Sequence, residues 1–119
     1  MKYLALDVGS RRTGVAYGES SMGIAHPLET IKHYSLEELA TRVRTLIEDR
    51  SVEHLVIGLP RLPSGDEGEQ AEFVRSLLPL LDGFPYTLID ERHTTPKGQE
   101  GDGDSHAACQ ILTVKLDLE

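Results

Sequence analysis

Four carboxylates and four arginines in this chain have the types and positions that phosphodiester chemistry needs. Asp7 closes the apolar run "KYLALD", Asp90 and Glu91 close "FPYTLIDE", and Asp104 stands just before "SHAACQIL". Carboxylates drawn from distant stretches, each at a strand end or a helix start, are the oxygen ligands a hard cation such as Mg2+ or Mn2+ takes, with room left for water and phosphate oxygens. Two such ions would activate a water and stabilise the leaving oxygen. Arg11 and Arg12, in the turn after Asp7, are placed to meet phosphates, and Arg61 and Arg92 follow the next two strand ends. Each group also has a plainer use. Asp7 could simply end a strand, although a carboxylate after a largely apolar run is costly if unpaired. Asp90, Glu91 and Arg92 could form a surface ion pair, Asp104 could cap a helix, and Arg11 and Arg12 could be solvated turn residues. Gly9 and Gly14 suit a hairpin turn as well as a phosphate loop, and the five histidines show no metal-ligand spacing.

The elements that must hold these groups follow from periodicity. "KYLALDVG" (2–9) reads as a buried strand presenting Asp7 at its carboxyl end, "SRR" as a turn, "TGVAYGE" (13–19) as a second strand, and 23–34 as a third, with Pro27 marking an edge or bulge. Residues 35–51 predict a helix with Ser35 as N-cap and Glu38 completing a capping box. "EHLVIGLP" (53–60) predicts a strand buried on both faces, 69–83 a helix stopped by Gly83 and complicated by Pro79, and 84–90 another strand. "PKGQEGDGD" (96–104) has no apolar residue and three glycines, so a loop is expected, followed by a closing amphipathic helix over 105–116. The class expected is therefore α/β: a mixed sheet built from a three-strand meander, then alternating helices and strands, with helices packed on its faces. Sites in such folds lie at the carboxyl ends of strands, where Asp7, Asp90 and Glu91 fall.

Bulk properties narrow the partners. A length of 119 residues suits a single domain. No apolar run approaches the roughly 20 residues a membrane span requires, and the start lacks the features of a secretory signal, so a cytoplasmic location is expected. Cys109 is the sole cysteine, which excludes an internal disulfide and a thiolate metal cluster. The net charge of -8 argues against nucleic acid at first sight, but its distribution softens this: residues 1–60 carry seven Lys/Arg against eight Asp/Glu, and residues 61–119 five against twelve. Chelated divalent cations would offset part of that acidic excess locally.

Taken together, "LALDVGSRRTGVA", "PLETI", "VIGLP" with the acidic loop and "EQAEFVR" after it, "DERHTT" and "DSHAACQIL" resemble the YqgF family, RuvX-like Holliday junction resolvases, across nearly the whole chain. The resemblance implies an RNase H-like fold and metal-dependent phosphodiester hydrolysis. It also implies a nucleic-acid partner, either the precursor of small-subunit ribosomal RNA, with ribosome-assembly components nearby, or branched DNA. Carried over by position, the acidic set is Asp7, Glu91 with Asp90 its neighbour, and Asp104, for which Asp102 is an alternative. One departure stands out: family members place a helix and often a basic stretch between "DERxTT" and the last aspartate, where this chain has only 96–103. A non-catalytic nucleic-acid or ribosome-assembly module on the same scaffold is the competing reading. The opening also resembles the Asp-x-Gly hairpin of sugar kinases, which need a second lobe to clamp nucleotide. Monomer and homodimer both remain compatible, the latter being what symmetric cutting of a four-way junction requires.

Overall fold

In a computed structural model, residues 1–21, 23–60, 62, 64–90 and 108–113 are described. Lys2–Val8 forms β1 and Arg12–Glu19 forms β2, an antiparallel hairpin whose register sets Asp7 opposite Gly14 and Val8 opposite Thr13. Ala25–Pro27 (β3) and Ile31–Lys32 (β4) both pair with β2. The expected third strand is thus split in two. Pro27 has no N–H to donate, which confines the segment to an edge.

Leu36–Arg50 forms α1. Its capping box is made as the sequence expects: the Glu38 N–H donates to Ser35 Oγ at 3.1 Å, and the Tyr34 N–H donates to Glu38 Oε1 at 2.7 Å. His54–Leu59 (β5) then pairs parallel to β1, and Tyr86–Asp90 (β6) parallel to β5, with α2 (Glu69–Leu77) in the second crossover. Parallel neighbours need such long connections. The helix expected over 69–83 ends early, in a 3-10 turn at Leu78–Leu81, because Pro79 cannot donate the next helical hydrogen bond. The sheet order is β3-β2-β1-β5-β6, with β4 beside β2. The expected mixed α/β architecture is the one found. Among the described residues no helix is long and apolar enough to cross a membrane.

Side chains alternate between two cores. Leu4, Leu6, Val8, Val15, Leu55, Ile57 and Leu59 face α1 and α2. Tyr3, Ala5, Ala16, Val56 and Ile89 face the opposite way, where Ala108, Ile111 and Leu112 of the helix at 108–113 are fully buried on them. Burying Ile111 and Leu112 contributes about 1.5–3 kcal/mol each, which holds this helix to the sheet. Residues 105–107 and 114–116 of the expected closing helix lie outside the described residues.

Candidate active site

Alternation along β1 puts Asp7 on the face of Tyr3 and Ala5, the one covered by the helix at 108–113. Its neighbours in the sheet carry no side chains. Gly14 is its partner in β2, and one step beyond the Leu6–Ile57 pair the parallel register brings Gly58 of β5 alongside. Both glycines are buried within the sheet. Asp7 is half-buried, and its carboxylate has no hydrogen bond or ion pair among the described residues. A carboxylate with no partner among the described residues, at the carboxyl end of a central strand, fits a hard divalent cation, which takes oxygen ligands and tolerates retained water.

The tight turn beyond Asp7 depends on Gly9. A Cβ there would collide with the Arg12 carbonyl oxygen, so glycine is required by close approach of the two backbone arms. The turn delivers Arg11 and Arg12. Arg12 is paired in register with Lys32 of β4, and both alternate onto the face that carries Asp7. The pairing sets two cationic side chains side by side on that face, with Cβ atoms about 5 Å apart. Arg11 places its guanidinium 5.4 Å from the Tyr34 ring centroid. Arg11, Arg12, Lys32, His33 and Tyr34 line a concavity of about 180 Å3.

Beneath the cationic rung, on the opposite face, a polar pair pins β4 to the hairpin. His33 Nε2 and Thr13 Oγ1 are 2.8 Å apart, both side chains are buried, and the His33 N–H donates to the Arg11 carbonyl at 2.9 Å. Burial holds the His33 pKa below its ordinary value, with the Glu38 carboxylate opposing. As pH falls through the unfolded value of about 6.5, the unfolded chain takes up a proton that the folded chain resists, so stability present at neutral pH is lost. The urea midpoint should therefore fall between pH 7.5 and 5.5 by more in the wild type than in His33→Gln. Equal pH dependence in the two proteins would show that another group is responsible.

The other expected site residues divide. Asp90 ends β6, but its register partner is Leu59 and its alternation is that of Leu88, so it lies on the α1/α2 face, opposite to Asp7. Thr87 and Ile89 are the β6 residues that share Asp7's face. Glu91, Arg92, Asp102, Asp104 and Arg61 lie outside the described residues. Among the described residues no group of three His, Cys, Asp or Glu comes together. Lys32 was not singled out by sequence reasoning. Its only signal was alternation in the short edge segment "IKHY", which becomes meaningful once the pairing with Arg12 is known.

Comparison with known proteins bears on the family and the fold. The sequence family described as RuvX, Holliday junction resolvase, matches residues 1–118. A candidate pre-16S rRNA nuclease of Roseiflexus sp. (strain RS-1) is 44% identical over 98 residues, covering 79% of this chain and 69% of that protein. Its counterpart in Chromobacterium violaceum is 40% identical over 95 residues, covering 77% and 69%. Thermus thermophilus RuvC, solved in complex with a Holliday junction substrate, superposes with a TM-score of 0.67 over 99% of this chain and 94% of that one. At 13% identity, that likeness speaks to the fold, which is RNase H-like.

Proposed function

The chain belongs to the RuvX family, and from that premise we propose that residues 1–119 form one nuclease domain. In this reading it hydrolyses phosphodiester bonds with divalent metal, Mg2+ or Mn2+, and trims the 5' end of the small-subunit ribosomal RNA precursor. The observation that carries the reading is Asp7: a half-buried carboxylate without a side-chain partner among the described residues, flanked in the sheet by Gly14 and Gly58 and facing the same way as Arg12 and Lys32. An unpaired carboxylate partly withdrawn from water is costly, and a ligand that recovers the cost gives it a purpose.

Asp7, Glu91 and Asp104 would hold the ion. Two features support that set over one containing Asp90. The odd positions of β6 share Asp7's face while Asp90 does not. The helix at 108–113, four residues after Asp104, is packed on the same face. When bound, the ion would supply Lewis acidity toward a phosphoryl oxygen. The chain's own residues do the rest. Arg12 and Lys32 neutralise and orient the substrate phosphates, with Arg61 and Arg92 as further contacts, and the Gly9 turn keeps Arg11 and Arg12 close to Asp7. The helix at 108–113 covers the same face of the sheet that carries Asp7. The reaction needs no membrane, and a cytoplasmic setting, where ribosome precursors and assembly components are found, suits it.

A second reading comes from the family's description as Holliday junction resolvases: cutting of branched DNA, by a homodimer if cuts are paired. Incubating the protein with end-labelled precursor RNA and, in parallel, a four-way junction separates the two. Faster cutting of the RNA at its 5' side is the expected result. Faster cutting of the junction would transfer the assignment to branched DNA.

A further inference from the structure

Tyr34 is 82% exposed, the most exposed of the large hydrophobic side chains among the described residues. Its place in the fold makes this unusual. It directly precedes the N-cap of α1, where an apolar residue commonly packs against the residue four positions into the helix. That residue, Leu39, is fully buried without it. Tyr34 instead stands in solvent with its backbone fixed, because its N–H is held by Glu38 Oε1 at 2.7 Å. The Arg11 guanidinium lies 5.4 Å from its ring centroid, and the ring shares one concavity with Arg12 and Lys32.

We propose that Tyr34, with Arg11, Arg12 and Lys32, forms a stacking platform that seats an unpaired base of the nucleic-acid substrate next to the Asp7 face. The proposal rests on the nuclease reading for its substrate class and adds a preference within it, for single-stranded over duplex segments. Bases stack on aromatic side chains whatever their identity, and a cationic groove tracks the phosphates between them. Arg11 covers part of the ring, and the exposure of the rest leaves a surface on which a base can lie. The concavity of about 180 Å3 is smaller than the pockets that take drug-sized ligands, so it suits one planar ring system. A base inside a duplex is already stacked above and below, and cannot offer a free face. Position supports the same occupant. The Arg12–Lys32 rung stands two residues beyond Gly14, Asp7's partner, about 7 Å along the strand on the same face. A strand with its base on Tyr34 and its phosphate on that rung is thereby led toward Asp7.

The test measures fluorescence anisotropy of a labelled twelve-nucleotide single-stranded RNA, and of a blunt duplex of the same sequence, in EDTA so that no cutting intervenes. Tyr34→Ala should weaken single-strand binding about five- to a hundredfold and Tyr34→Leu nearly as much. Tyr34→Phe should stay within about twofold, with duplex binding unchanged in all three. Lys32→Ala should lower the salt dependence of single-strand binding by roughly one ion. The proposal is overturned if the wild type binds no single strand, if Tyr34→Ala binds it as tightly as the wild type, or if duplex binding falls by the same factor. An effect of Lys32→Ala alone would mean phosphate contact without stacking, and would also overturn it. Because binding is read without metal, failure of the nuclease reading leaves this result standing, and failure of the platform leaves cleavage untouched.

Discussion

Asp7→Asn should cut the cleavage rate steeply while leaving the fold as stable as before, or slightly more so. The substitution keeps the shape of the side chain and removes its charge. If Asp7 holds a divalent ion, the loss of transition-state stabilisation amounts to several kcal/mol. At about 1.4 kcal/mol per factor of ten, the rate should fall roughly a hundred- to thousandfold. Stability should move the other way because the carboxylate has no hydrogen bond or ion pair to lose among the described residues and is half-buried. A thermal melt next to a single-turnover cleavage assay reads both quantities. A large drop in melting temperature would mean that Asp7 serves the fold, and the loss of cutting would then need another explanation.

Gly9→Ala should show the reverse order of effects. One added methyl group collides with the Arg12 carbonyl oxygen, and the collision is with backbone, which cannot rotate away. Relief requires the hairpin to open. Overpacking of this kind costs about 1–3 kcal/mol, or roughly 4–12 °C in melting temperature for a chain of this length. Cleavage should fall as well, since opening the hairpin moves Arg11 and Arg12 away from the end of β1. A melt superimposable on the wild type would show that the turn can relax at no cost. The two variants therefore separate a residue that serves chemistry from one that serves the geometry around it.

Local signals in the sequence carried much of this. A carboxylate at the end of an apolar run marked Asp7 at the end of β1, and Ser35 with Glu38 marked the start of α1 through hydrogen bonds that span only three or four residues. Strands alternating with helices were enough to expect the mixed sheet that is found. Effects set by register were not legible. That Gly14 and Gly58 flank Asp7, that Lys32 opposes Arg12, and that Asp90 faces away from Asp7 all depend on pairings between distant segments. Pro27 and Pro79 signalled trouble in the right places, but the sequence does not say whether a proline bends an element, splits it or tightens it. Here one lies where an edge strand divides and the other turns the end of α2 into a 3-10 turn.

The face that Asp7 shares with Arg12 and Lys32 is the centre of the functional reading, and metal-dependent cutting tests it most directly. End-labelled single-stranded RNA should be incubated with wild type and with Asp7→Asn in Mn2+, in EDTA, and in EDTA followed by excess Mn2+. The expected result is cutting by the wild type with metal, none in EDTA, recovery on adding metal back, and cutting by the variant slowed roughly a hundred- to thousandfold in metal. Cutting by Asp7→Asn at the wild-type rate in Mn2+ would remove Asp7 from the site and the proposed metal set with it.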